Sequence, residues 1–384
     1  MNLIALKMLV GDRAKYLGII MGLTFASLLI TQQMAIFVGL ISRTVSSIRD
    51  LGLPDIWVMD PQVQFIDDIK PMQDTRLLQV RGVDGVQWAM PLYKGNIRAR
   101  LDDGTFQNCI VMGLDDATLI GGPPEMLEGK LEDLRRSEAV IVDEVGAADK
   151  LARILPGGKK VPLKVGDTME LNDHRGVVVG ICRVGRTWSS QPVVYTTYTR
   201  ATTFAPQERR LLTFVLVKAG EGQNPQALCD RIHRLTGLGA YTQQQFIKNT
   251  RDYFLKRTGI PINFGIAVAL GFIVGTAIAG QTFYNFTLDN LRYFGALKAM
   301  GAGNRLLLRM ILLQAILVGF IGYGLGVGLA SLIGYAAGQS ELAFLLPWWQ
   351  LLLTAFAVML ICVFASLISI RKVIRLEPAI VFKG

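Results

Sequence analysis

Four stretches of this chain are too long and too apolar to serve as core elements of a soluble protein, and their placement decides what the rest can fold into. Residues 17–41 form one such run near the N-terminus, and residues 262–285, 306–336 and 346–370 form three more after a long polar interval. A helix needs about 20 apolar residues to cross a hydrocarbon core of roughly 30 Å, and each run reaches that length. The first exceeds the roughly 7 to 15 residues of a signal-peptide core and lacks a small-residue exit of the A-x-A kind, so it reads as a retained anchor. Gln32 and Gln33 lie inside it and are expected to face other helices, where a neighbouring backbone group can satisfy them.

Cations set the orientation of the four spans. Lys7, Arg13 and Lys15 precede the first, Arg292, Lys298, Arg305 and Arg309 lie between the second and third, and Arg371, Lys372, Arg375 and Lys383 follow the fourth. All fall on one side of a four-span chain, the cytoplasmic side by the positive-inside pattern, which puts both termini there. Residues 1–16 then read as a cytoplasmic amphipathic helix with Leu3, Leu6, Leu9 and Val10 on one face. Residues 337–345, with Glu341, form a short exoplasmic loop ahead of Trp348 and Trp349 in the interfacial belt, and residues 371–384 form a cytoplasmic tail. Of the 40 basic residues, against 30 acidic, many sit next to apolar runs, so the positive balance reads as topology marking and no nucleic-acid partner is expected.

Between the first and second spans the material changes. A chain that is 51% hydrophobic with a mean hydropathy of +0.38 still carries 18% charged residues, and most of the acids sit in this interval. Residues 42–241 read as one exoplasmic α+β domain. Its expected strands are 55–59, 86–100, 106–114, 139–142, 176–182, 193–197 and 212–217, and its expected helices are 74–83, 145–155 and 224–236. Residues 242–261 continue as a stalk helix with Phe246, Ile247, Tyr253 and Phe254 at helical spacing, broken at Pro261, where a backbone donor is lost. The fold class is therefore an α+β membrane protein, four transmembrane helices with a large domain inserted after the first.

The domain offers little chemistry. His174 and His233 stand apart from each other and from any cysteine at ligand spacing, and no serine or cysteine sits in a nucleophile elbow. The adjacent acids Asp67–Asp68, Asp102–Asp103 and Asp115–Asp116 read as turns, because neighbours on a strand point to opposite faces. Cys109, Cys182 and Cys229 permit one disulfide or three buried thiols, and Cys362 lies in a span. The sequence has no G-x-x-x-x-G-K-[ST] loop; Gly122 to Lys130 has the wrong spacing and is followed by Leu131. No catalytic, cofactor-binding or metal-binding residues are assigned, and no enzymatic activity is expected.

Two constellations remain. Residues 286–305 form a cytoplasmic elbow in which Leu291, Phe294, Ala296, Leu297 and Met300 keep helical spacing until Gly301 and Gly303 end the turn. Phe294, Leu297 and Met300 are expected to form an apolar ridge for a partner's groove, with Gly295 low on the opposite side, Arg292 and Lys298 at the rim and Gly301 at the bend. Gly22, Ala26, Gly271 and Gly275 are expected to let the first and second spans pack closely across a dimer axis.

One N-terminal span, a large exoplasmic domain and three further spans is a layout that resembles the MacB and FtsX family of ABC-transporter permease subunits. RYFGALKAMGAGNRLLLRMILLQA, residues 292–315, resembles that family's segment between its second and third spans, and RLEPAIVFKG, residues 375–384, its closing Pro-Ala motif. LKMLVGDRAKYLG and VGDTMELNDHRGVVVGICRVGRTW are similar to the DevC-like branch, whereas Tyr293-Phe294 stands where relatives often carry Glu-Ile. The resemblance implies a permease dimer of the inner membrane whose elbows dock a separate cytoplasmic ABC ATPase. That partner holds the ATP and Mg; this chain binds no cofactor. The resemblance further implies a membrane-fusion protein, an outer-membrane channel and membrane lipid as partners, with an amphipathic cargo such as a lipid, glycolipid or drug expelled. An FtsX-like signalling subunit that activates a cell-wall hydrolase and a lipoprotein-extracting permease are the alternatives.

Overall fold

The computed structural model describes residues 2–11, 13–101, 103–155, 159–206, 211–337 and 341–374. The chain divides into two compact units, one built from residues 1–40 and 259–384 and the other from residues 41–258. The expectations for Asp102, Lys383 and the segment 375–384 lie outside the described residues. The N-terminal part forms two helices, α1 (Asn2–Gly11) and α2 (Arg13–Arg43). The amphipathic helix expected over residues 1–16 is thus shorter, and the first span begins at Arg13. Val10, expected on the apolar face with Leu9, is 49% exposed while Leu9 is fully buried, because Ala5 and Leu9 supply the packed face.

The second unit is a mixed domain. It contains α3 (Ser46–Asp50), β1 (Ile56–Met59), α4 (Thr75–Arg81), β2 (Val86–Arg100), β3 (Phe106–Leu114), β4 (Glu125–Glu128), β5 (Ala139–Asp143), β6 (Arg153–Leu155), β7 (Lys159–Val161), β8 (Thr168–Leu171), β9 (His174–Arg183) and β10 (Val193–Thr197). After these come α5 (Tyr198–Phe204), β11 (Phe214–Ala219), α6 (Pro225–Thr236), β12 (Gly239–Thr242) and α7 (Gln243–Arg257). Among the described residues, one sheet runs β12-β1-β11-β2-β3-β10-β5-β9-β4, and β8 pairs with both β2 and β9, which closes six of its strands into a ring.

Side-chain alternation assigns the faces of this sheet. Trp57, Ile110, Met112, Ile141, Phe214 and Leu216 share one core with Phe246 of α7. On the opposite face, Cys109, Val111, Val140, Val142 and Val194 form a second core at the closed end. Ile56, Val58, Val215 and Val217 form a third, with Leu228 and Ile232 of α6. α6 starts at the Asn224 side chain, which accepts from the Gln226 amide at 2.9 Å, and stops at Gly237, whose φ of +71° favours glycine. α7 opens on a reciprocal cap: Thr242 Oγ1 accepts from the Gln245 amide at 3.3 Å, and Gln245 Oε1 accepts from the Thr242 amide at 3.0 Å. With Phe246 and Phe254 buried, α7 is docked on its domain along its length, so the segment expected to be a stalk is part of the domain's core.

The helix expected over residues 145–155 is a correction. Residues 146–150 make one wide turn closed by the Leu151 amide on the Gly146 carbonyl at 2.8 Å, and residues 153–155 are β6, paired with β7. The Ala147 carbonyl is taken by the Leu163 amide at 3.0 Å, so the helical ladder has no acceptor with which to continue.

α8 (Ile260–Asp289), α9 (Leu291–Ala299), α10 (Asn304–Ala336) and α11 (Trp348–Ile374) complete the first unit. α2, α8, α10 and α11 are each long and apolar enough to cross a membrane. Their shared core contains Leu23, Ala26, Ile30, Ala279, Phe283, Val318, Val358 and Ile361. Glycines set the approach of α10 to its neighbours. A Cβ on Gly322 would stand 2.6 Å from Leu23, one on Gly326 2.5 Å from Ser27, and one on Gly319 2.6 Å from the Cys362 sulfur.

Candidate coupling site

The elbow forms a short helix because Asn290 breaks the preceding one: its side-chain amide donates to the Phe286 carbonyl at 2.8 Å, and α9 begins at the next residue. α9 ends at Met300, and Gly301, at φ +95°, turns the chain so that the Ala302 amide reaches the Leu297 carbonyl at 3.0 Å. Three contacts fasten this corner. Phe294 and Leu297 enter a small core with Ala5, Ala302, Leu307, Met310 and Ile311. The Gln314 side chain donates to the Ala5 carbonyl at 2.7 Å, and Lys15 pairs with Asp289 at the end of α8.

The ridge expected from Phe294, Leu297 and Met300 is not one surface. Phe294 is 0% exposed and Leu297 7%, whereas Met300 is 76% exposed. The first two face α1 and the base of α10, and Gly295 is buried beside them. The outward side of the elbow carries Arg292, Tyr293, Ala299, Met300 and Gly301, with Lys298 half-buried at its edge. Tyr293, which the sequence marks only as a departure from what relatives often carry, lies on this outward side. It stands seven positions before Met300, close to two helical turns, and that spacing places both on one face. Arg292 and Ala299 repeat the same interval.

The small residues are also used differently from the expectation. A Cβ on Gly275 would lie 2.4 Å from the Ala26 Cβ, one on Gly22 2.6 Å from Ile278, and one on Gly271 3.4 Å from Leu29. Gly22, Ala26, Gly271 and Gly275 therefore pack α2 against α8 within one chain. Gln32 and Gln33 are half-buried in α2.

The soluble unit offers structural polar contacts. His233 Nδ1 lies 2.8 Å from the Leu238 carbonyl oxygen at the end of α6. Asp103 and Asp115 accept bonds from Thr105 and Thr118 two and three residues on, as turn residues do. Lys94, midway along β2, is buried, pairs with Asp67 and donates to the Ile66 carbonyl at 3.2 Å, which pins the preceding loop to the sheet. Asp143 is also buried and accepts from the Gly146 and Val193 amides at 2.8 and 2.7 Å. Burial raises its carboxyl above the usual range, against those bonds. Cys109, Cys182, Cys229 and Cys362 are free and buried, and burial pushes the Cys109 thiol up to about 12. Among the described residues no group of three His, Cys, Asp or Glu side chains could hold a metal ion.

Four membrane-length helices, a large mixed domain inserted after the first, and a short fastened helix between the second and third define a multi-pass membrane protein with a soluble insertion. Residues 16–235 match the MacB-like periplasmic core domain and residues 265–378 match the FtsX-like permease C-terminal domain, and the chain belongs to that family of ABC transporter permeases. It is 25% identical to the uncharacterized ABC transporter permease Rv0072 of Mycobacterium tuberculosis over 318 residues, 82% of this chain and 80% of that one. It is 24% identical to the putative hemin transport system permease protein HrtB of Staphylococcus haemolyticus over 218 residues, 56% of this chain and 58% of that one. The periplasmic region of MacB from Actinobacillus actinomycetemcomitans aligns with a TM-score of 0.37 at 14% identity, over 52% of this chain and 94% of that structure.

Proposed function

We propose that this chain is the permease subunit of an ATP-driven exporter and that α9 is where a separate cytoplasmic ATPase acts on it. The observation that carries the reading is the two-sided character of α9. Its inner side is locked by Phe294 and Leu297, and its outer side presents Met300, Tyr293 and Arg292. A partner pushing on such a helix moves the ends of α8 and α10 with it, because buried contacts transmit displacement and a loose linker does not. The absence of a P-loop sequence leaves ATP and Mg to that partner.

In this reading a pair of permease copies takes one ATPase subunit at each elbow, and ATP-driven closure passes along α8 into α7 and the soluble domain. That domain lies on the exoplasmic side of the inner membrane and works with a membrane-fusion protein and an outer-membrane channel. The cargo is amphipathic; the name of HrtB couples one relative to hemin, a molecule of that kind. The test is co-purification of the full chain with its cognate ATPase, comparing Met300→Asp and Tyr293→Ala with Asp103→Ala in the soluble domain. Loss of the ATPase and of permease-stimulated hydrolysis in the first two alone supports the reading, and retention in both removes it.

A further inference from the structure

The last turns of α7 carry Lys248, Arg251, Lys256 and Arg257 against the single acid Asp252, and Ile260 begins the second apolar helix three residues after Arg257. On the exoplasmic side of the proposed topology this is the reverse of the pattern that orients spans, so topology gives no reason for these cations. The structure gives them a setting. A cleft of about 680 Å³ opens beside them, its lining including Gln64, Lys70, Asp252, Tyr253, Lys256 and Arg257. Arg257 donates to Gln64 Oε1 at 3.2 Å, and Lys256 donates to Asp252 at 2.8 Å while remaining 72% exposed. Lys70 lies 3.7 Å from Asp68, and Asp60, which accepts from the Gln62 amide at 2.9 Å, is a further acid beside the lining. Tyr253 is the aromatic side chain in this lining; Phe65 stacks on it at 4.3 Å between ring centroids and meets Phe254 edge-on at 5.4 Å, which holds the Tyr253 ring in place. The bond from Lys256, with Lys248 and Arg251 nearby, holds the Asp252 carboxyl below the usual range.

We infer that this cleft binds the phosphate of an anionic phospholipid headgroup, taken from the leaflet that the chain enters at Ile260. Three residues of extended chain span about 10 Å, so the cations at the end of α7 stay within that reach of the first turn of the apolar helix α8. Lys256, Arg257 and Lys70 supply charge-assisted donors to the phosphate oxygens, and Tyr253 offers the amphipathic surface that aromatic residues present at an interface. The side of the membrane rests on the exporter topology; the headgroup chemistry does not.

The test uses the full chain in detergent, titrated with phosphatidylglycerol, with phosphatidylcholine and with inorganic phosphate, bound lipid being counted by native mass spectrometry. The wild type retains phosphatidylglycerol about tenfold more tightly than phosphatidylcholine. Lys70→Ala/Lys256→Ala/Arg257→Ala erases that preference, and Lys256→Gln alone reduces it. Lys159→Ala/Lys160→Ala/Lys164→Ala, with the same change in charge at β7 and beyond, keeps it. Equal retention of both lipids by the wild type, an undiminished preference in the triple variant, or displacement of the lipid by millimolar inorganic phosphate would each overturn the assignment. Labelling of Lys256→Cys in intact cells by a membrane-impermeant maleimide tests the side separately. A thiol that is labelled while the lipid preference is absent leaves the exporter topology standing and sinks the headgroup site.

Discussion

Phe294→Ala discriminates between the two possible uses of the elbow. As a docking anchor, its loss would weaken ATPase binding and leave the isolated permease unchanged. In the structure Phe294 is fully buried against Leu297, Ala5, Ala302, Leu307, Met310 and Ile311, so truncation opens a cavity that the fastened corner cannot collapse. Phe-to-Ala changes in packed cores cost about 3–5 kcal/mol, the lost transfer energy plus the cavity. Met300→Ala, at a side chain 76% exposed, stays within about 0.5 kcal/mol. The assay is thermal unfolding of the purified full chain in detergent, without ATPase, followed by ATPase capture on the same samples. Phe294→Ala should unfold well below the wild type, and Leu297→Ala should follow at about 2–5 kcal/mol. Met300→Ala should unfold with the wild type and capture less ATPase. A Phe294→Ala protein of unchanged stability that fails to bind ATPase would mean that the ring faces the partner and that the burial argument is wrong.

Three further outcomes follow from the packing. Gly275→Leu should lower stability by about 1–3 kcal/mol, since even a Cβ there would meet Ala26 at 2.4 Å, and leave the oligomeric mass unaltered; a changed mass with normal stability would return this face to a dimer contact. Asp143→Asn turns an acceptor into a donor facing either the Gly146 or the Val193 amide and should cost about 1–3 kcal/mol. Because the folded carboxyl titrates above its unfolded value, the native state holds this proton more tightly. The stability of the wild type relative to Asp143→Asn should therefore rise as pH falls through the folded pKa towards the unfolded one, and level off below it; the opposite slope in denaturant titrations at stepped pH would contradict the burial cause. The four cysteines should resist maleimide until the chain is unfolded, as buried thiols with raised pKa at Cys109 and Cys182 must; rapid labelling of any of them in the native protein would place that side chain at the surface.

The large features were legible in the sequence because they follow from length and period. Apolar runs longer than a bilayer announced α2, α8, α10 and α11, and segments rich in Val, Ile, Tyr and Thr between Gly, Pro and Asp announced β2, β3 and β10 at their observed bounds. What failed were readings that needed a neighbour. Phe294 and Leu297 looked like an exposed ridge because the residues that cover them lie on other elements, Leu307, Met310 and Ile311 on α10 and Ala5 on α1, the last almost three hundred residues earlier in the chain. Gly271 and Gly275 looked free for a second copy for the same reason, since the small-residue pattern signals close approach without saying of which helix. The wide turn at residues 146–150 was hidden by helical spacing, and only the non-local bond from Leu163 shows why the helix stops. Short strands such as β4 and β8, four residues each, carry too few residues for a period to register. Tyr293 could have been found: its interval of seven to Met300 was present, but Phe294 and Leu297 drew the face one residue too far.

The most direct measurement of the central claim is site-specific photocrosslinking from the elbow to the ATPase in native membranes. A photoreactive amino acid is placed in turn at Tyr293, Met300, Phe294 and, in the soluble domain, Trp188. Adducts with the ATPase from Tyr293 and Met300, with only intrachain adducts from Phe294 and none to the ATPase from Trp188, are the predicted result. ATPase adducts from Trp188, or none from both Tyr293 and Met300 in a complex that still hydrolyses ATP, would show that α9 is a connection between two spans and that coupling lies elsewhere.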